Sequence, residues 1–99
     1  MSNAIWFISY KLNKGASAQE FLDASEVLYN EVVSKAKGYV SWKQLLNDDT
    51  WVDLTTWETM EDANNFEKGG DPSPFALKFY SFIDFNSLKS QFYTVEKSY

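Results

Sequence analysis

The chain has no cysteine, no histidine and no arginine in 99 residues. Without cysteine there is no disulfide, no thiolate nucleophile and no thiolate metal site. Without histidine the usual near-neutral acid or base is missing, as are the Ser-His-Asp triad and the commonest metal ligand. All nine cations are lysine, so the bidentate guanidinium fork for carboxylate, phosphate or guanine is unavailable. Fourteen acidic residues leave a net charge of −5, a poor match to nucleic acid or to an anionic membrane surface. No apolar run reaches the length of a transmembrane helix, and no signal peptide is read, so a cytoplasmic protein is expected.

What the chain has in quantity is aromatic: 4 Trp, 6 Tyr and 8 Phe. At this length one domain over residues 1–99 is expected, and large rings help so small a chain build a core. Ala4 to Leu12 is β-rich and apolar on both faces, with Ala4, Trp6, Ile8 and Tyr10 on one side and Ile5 and Phe7 on the other. Asn13-Lys14-Gly15 marks a turn. Ser17 to Glu20 reads as a capping box, opening a helix expected to reach about Lys37, with Gly38 as its C-terminal stop. Tyr39 to Leu46 and Thr50 to Trp57 are strands about an Asn47-Asp48-Asp49 hairpin turn. Thr59 caps a second helix, broken at Gly69 to Pro74. A further helix runs from Phe75 to about Phe82, Ile83 to Lys89 is a connector, and the last strand is Ser90 to Lys97. The order is βαββαβ, an α+β, ferredoxin-like arrangement with a four-stranded antiparallel sheet.

Residues alternate sides on a strand, so Trp51, Asp53, Thr55 and Trp57 share one face and Val52, Leu54 and Thr56 the other. Two indoles, a hydroxyl and a carboxylate on one face are unusual as plain core filling. The opposite face is apolar too. Helices cover only one side of such a sheet, so a second copy packed sheet to sheet is expected to cover the other, giving a homodimer.

The hairpin followed by Trp57-Glu58-Thr59-Met60-Glu61-Asp62-Ala63, and then Phe79-Tyr80-Ser81-Phe82-Ile83-Asp84, resembles the dimeric α/β-barrel proteins. The nearest type is the antibiotic-biosynthesis-monooxygenase-like (ABM) domain, and the element order matches over nearly the whole chain. The resemblance implies a dimeric α/β barrel and an activity such as cofactor-independent oxygenation of polycyclic aromatics, or haem degradation. In the haem-degrading relatives the Trp that ends this strand lines the ligand cavity, and Trp57 matches it. Their strand-one Asn falls near Ile8, and their haem-ligating His has no counterpart here, which argues against haem chemistry.

The site residues expected on this reading are Asp53 as the catalytic base, with Trp57, Thr55, Trp51, Trp6, Ile8 and Tyr10 around the substrate. An aromatic-lined cavity would desolvate Asp53 and raise its pKa, and cofactor-free oxygenation needs a base to deprotonate a phenolic substrate. The bland alternative for Asp53 is a solvated carboxylate, or one paired with Lys43 across the hairpin. For Trp57 it is a core ring between sheet and helices. Trp42 is a further wall candidate from the neighbouring strand. No metal and no cofactor are expected. The function expected is a cofactor-independent monooxygenase acting on a small flat apolar or aromatic molecule. The alternative is a non-catalytic dimer that binds a small hydrophobic ligand or is purely structural.

Overall fold

The computed structural model describes residues 2–69 and 73–99. Its elements are β1 (Ala4–Leu12), α1 (Ala18–Glu31), a 3-10 turn (Val33–Lys35), β2 (Tyr39–Asn47), β3 (Thr50–Trp57), α2 (Met60–Lys68), α3 (Pro74–Tyr80) and β4 (Ile83–Thr94). The βαββαβ order holds, with the second helical region in two pieces. The expected break at Gly69 to Pro74 falls partly on residues 70–72, which lie outside the described residues.

The strands form one antiparallel sheet in the order β2-β3-β1-β4. β3 is central and alternates strictly: Trp51, Asp53, Thr55 and Trp57 are buried, whereas Val52, Leu54 and Thr56 are half-buried. Register sets Trp6 opposite Thr55 and Ile8 opposite Asp53 on β1, and Trp42 opposite Thr55 and Gln44 opposite Asp53 on β2. Those side chains therefore share the face that the helices cover.

Each helix starts where a side-chain oxygen caps it. Ser17 Oγ accepts from Glu20 N at 3.2 Å, Thr59 Oγ1 from Asp62 N at 3.0 Å and Ser73 Oγ from Ala76 N at 3.1 Å. Pro74 occupies the first turn of α3, where its missing N–H costs nothing. Phe21 is the hub of the core, with the rings of Trp51, Phe79, Phe82 and Tyr10 at 5.1, 5.2, 5.9 and 6.0 Å. Trp57 centres a second cluster with Ala4 and Ala63.

Three boundaries differ from the expectation. α1 stops at Glu31 rather than near Lys37, because Val32 leaves helical angles (φ −129°, ψ −61°) and the chain tightens into the 3-10 turn. Two consecutive β-branched residues fit a helix poorly, and the change of pitch drives Val33 into the core. Gly38 consequently does not stop α1. Its positive φ of 81° serves the turn into β2, and a Cβ there would lie 2.2 Å from the Asp62 carboxylate. The third helix ends at Tyr80, short of Phe82, and β4 begins at Ile83 rather than Ser90, so the expected connector is strand.

Candidate active site

Asp53 is 4% exposed in the middle of the sheet. Its Oδ2 accepts the Tyr10 hydroxyl at 2.9 Å, and its Oδ1 accepts the Trp42 indole N–H at 3.2 Å. Neither bland alternative holds. The carboxylate is not solvated, and the residue opposite it on β2 is Gln44, while Lys43 points to the other face. Burial pushes its pKa from the ordinary 3.8 up to about 6, against the opposing pull of hydrogen bonds from Tyr10, Trp42 and Gln44. The Tyr10 phenol is driven well above its ordinary value, first by burial and then by the adjacent Asp53 charge, so it stays a donor. Gln44 is held in turn by its Nε2 donating to Ser25 Oγ at 3.0 Å.

A second relay lies one pair along the strand. Trp57 Nε1 donates to Thr55 Oγ1 at 2.9 Å, and that hydroxyl donates to the Trp6 carbonyl at 3.3 Å. Trp6 stacks on Phe92 at 5.5 Å and anchors its own N–H on Ser90 Oγ at 2.8 Å. The Trp6, Trp42 and Trp57 indole N–H groups on this face thus each have a protein acceptor.

Between sheet and helices lies a cavity of about 100 Å³. The sheet contributes Trp6, Ile8, Trp42, Asp53 and Thr55. The helical layer contributes Leu28, Val32, Val33, Phe66, Ala76, Phe79 and Tyr80. Among the described residues Asp53 is its one ionisable carboxyl. A carboxylate accepts at about four lone-pair positions, of which Tyr10 and Trp42 take one on each oxygen and Gln44 approaches another. The remainder are free to accept a proton from a guest. No group of His, Cys, Asp or Glu side chains with metal-binding geometry occurs among the described residues.

No family model matches the chain, and no curated protein sequence does either. Solved structures do. The cofactor-independent oxygenase SnoaB from Streptomyces nogalater matches with a TM-score of 0.77 over 99% of this chain and 97% of its own, at 11% identity. The ActVA-Orf6 monooxygenase of Streptomyces coelicolor, in complex with nanaomycin D, matches with a TM-score of 0.72 over 99% and 91%, at 14% identity. A putative antibiotic biosynthesis monooxygenase from Bacillus cereus matches with a TM-score of 0.66 over 100% and 98%, at 16% identity. The chain has the ABM fold.

Within this ABM fold the seven expected site residues separate into two groups. Asp53, Thr55, Trp6 and Ile8 line the cavity. Tyr10, Trp57 and Trp51 do not. Tyr10, 1% exposed, stands behind Asp53 as its donor, and Trp57, fully buried, stands behind Thr55. Trp51 packs on Phe21 in the core. Trp57 is tilted against Phe66 at 4.8 Å, so Phe66 presents the wall that the sequence assigned to the indole. The helical half of the lining went unnoticed in the sequence. Ala76 and Phe79, spaced i, i+3, carried a signal for an inward face of α3. Phe66 follows Ala63 by the same interval.

Proposed function

We propose that the protein is a cofactor-independent monooxygenase that oxidises a flat phenolic or quinol ring, with Asp53 as the base. The observation that carries this reading is a buried carboxylate, its pKa raised to about 6, on the wall of an otherwise apolar, aromatic-lined cavity. The ABM fold, shared with proteins described as a cofactor-independent oxygenase and a monooxygenase, supports it.

In the proposed reaction the Asp53 carboxylate takes the phenolic proton. The conjugate base carries negative charge on a ring carbon and passes one electron to dioxygen; the resulting pair joins in a carbon–oxygen bond. Asp53 returns its proton to the distal oxygen, giving a hydroperoxide. Loss of the ring C–H proton with cleavage of the O–O bond releases water and leaves a quinone carbonyl. Phenol plus dioxygen becomes quinone plus water, so the substrate itself supplies the electrons. Apolar walls favour the neutral substrate and exclude bulk water, and the Tyr10 and Trp42 donors keep the carboxylate available near neutral pH. Thr55, held by Trp57, borders the guest on the side away from Tyr10.

The working unit is proposed to be a homodimer of one ABM domain over residues 1–99, acting in the cytoplasm. Each copy would cover the other's half-buried sheet face. The test of the activity is oxygen uptake with phenols and quinols by wild type and Asp53→Asn. Turnover lost in the variant supports the reading, and equal rates remove Asp53 as the base. A second reading, binding of a small hydrophobic ligand without turnover, draws support from the protein donors already on both Asp53 oxygens. A phenol that raises the melting temperature and is never oxidised would establish it.

A further inference from the structure

A second hollow lies near the Asp53 cavity. It is an open groove of about 340 Å³ between α1 and β2, lined by Gln44 and Ser25, and Trp42 borders both hollows. We propose that Gln44 is a positioning residue for the base: pinned by Ser25, its amide can only donate to the Asp53 carboxylate, so that the proton Asp53 takes up is turned toward the guest. The inference deepens the reading of Asp53 as the base and rests on it.

The direction of each bond follows from the chain of partners. Ser25 has one hydroxyl proton, and it goes at 2.8 Å to the Phe21 carbonyl, an atom that can only accept. Ser25 Oγ is left with lone pairs alone, so the end of Gln44 that meets it at 3.0 Å is the amide NH2. Register sets Gln44 opposite Asp53, and the amide reaches the carboxylate as a third donor beside Tyr10 and Trp42. A free amide could rotate its carbonyl toward Asp53 and accept from the protonated acid. The Ser25 contact holds the other orientation. The Trp42 indole is a donor only, and Tyr10 spends its proton on Oδ2. The position left for a proton on Asp53 is therefore on the cavity side, where a guest meets it.

Two features are poorly explained by packing. Serine is a weak helix former, yet Ser25 stands in the middle of α1 at 2% exposure, where alanine would bury no polar atom. Among the described residues no lysine lines either hollow, so the dipoles of the donors must hold the Asp53 charge. The other titratable groups around it are Tyr80 of α3 on the cavity wall, with Glu26 and Tyr29 of α1 and Tyr39 of β2 along the groove. None of them supplies a positive charge.

The test follows the Asp53 carboxyl carbon by NMR through its titration in wild type, Gln44→Leu, Ser25→Ala and the double variant. Oxygen uptake with hydroquinone is measured alongside. Neither substitution changes a charge, so Glu26 acts alike in every form. Gln44→Leu should move the Asp53 midpoint upward by about 1. Ser25→Ala, which favours the helix, frees the amide to rotate and should move it upward by less. The double variant should match Gln44→Leu alone, because Ser25 acts through Gln44. The midpoint of the pH–rate profile should move in step. An unmoved Asp53 midpoint in Gln44→Leu, even with a lower rate, assigns Gln44 to packing and overturns the inference. Shifts that add in the double variant overturn it too, since Ser25 then acts by another route. Shifts as expected in a protein that oxidises no phenol uphold the arrangement around Asp53 and defeat the oxygenase reading instead.

Discussion

Asp53 couples stability and chemistry through a single proton. Its folded pKa lies above the unfolded value, so the native state prefers the protonated acid. That contribution is fully present below the unfolded value near 3.8, declines as pH rises, and is lost above about 6. A pKa difference of about 2 corresponds to a cost on the order of 3 kcal/mol for holding the buried charge at neutral pH. Asp53→Asn keeps the shape, can accept from Trp42 and donate to the Tyr10 oxygen, and removes the charge. The variant should therefore be more stable than wild type at pH 8 and show no such advantage at pH 4, as read by urea denaturation. Activity should move the opposite way. Oxygen uptake by wild type should rise with pH through about 6 and then level off, whereas Asp53→Asn should be inactive throughout.

Tyr10→Phe separates the two donors. Loss of a hydrogen bond that favours the carboxylate should raise the pKa of Asp53 further and move the midpoint of the pH–rate profile upward by about 1. A lower plateau with an unmoved midpoint would show that Tyr10 only fills space. The sequence made Asp53 legible because a carboxylate between Trp51 and Thr55 breaks an otherwise buried face. It did not show that Tyr10 and Trp57 stand one layer behind the cavity. Strand alternation fixes the face of a side chain, but its depth depends on the helices packed over it.

At the scale of elements, β1, β2, β3 and the three helix starts were readable from alternation and caps, while the start of β4 was hidden. Asp84, Asn86 and Ser87 are turn formers, and they make turn-like bonds inside a strand. Asn86 N donates to Asp84 Oδ1 at 3.0 Å, and the Ser87 hydroxyl donates to the Asp84 carbonyl at 2.6 Å. The register shifts at the same place, between Ser9 and Lys11, as at a β-bulge. There the Lys11 N–H finds Ser87 Oγ at 2.8 Å in place of a backbone carbonyl. Local hydrogen bonding and long-range pairing therefore coexist in a segment whose composition signals only the former. Ser87→Ala should leave the Lys11 N–H without its partner and lower stability by about 1 kcal/mol, measured by thermal or urea unfolding. No change would mean that water replaces the hydroxyl at no cost.

The whole molecule has one helix-covered sheet face and one bare face, and the bare one carries an apolar strip bordered by Lys43, Lys89 and Gln91. Ile5 and Phe7 on β1 and Val52 and Leu54 on β3 are all half-buried, and Tyr93 on β4 meets Phe7 edge-on at 6.5 Å. Leu45 on β2 extends the patch and is itself exposed. An apolar strip crosses the four strands, and the proposed two-fold packing of this face on its copy would cover it. The same alternation that separates the faces makes the dimer testable without touching the site, since Leu54 points away from the cavity that Asp53 and Thr55 line. Leu54→Lys places two ammonium groups, one from each copy, in the expected contact, each beside the Lys43 already opposite that position. Wild type should sediment at twice the 11.5 kDa chain mass at micromolar concentration, and Leu54→Lys at the chain mass. The Trp42 indole signal of the variant should keep its position if the Asp53 site is built within one chain. A wild type that sediments as a monomer would refute the dimer, and a Trp42 signal that shifts on dissociation would show that the partner helps to shape the cavity.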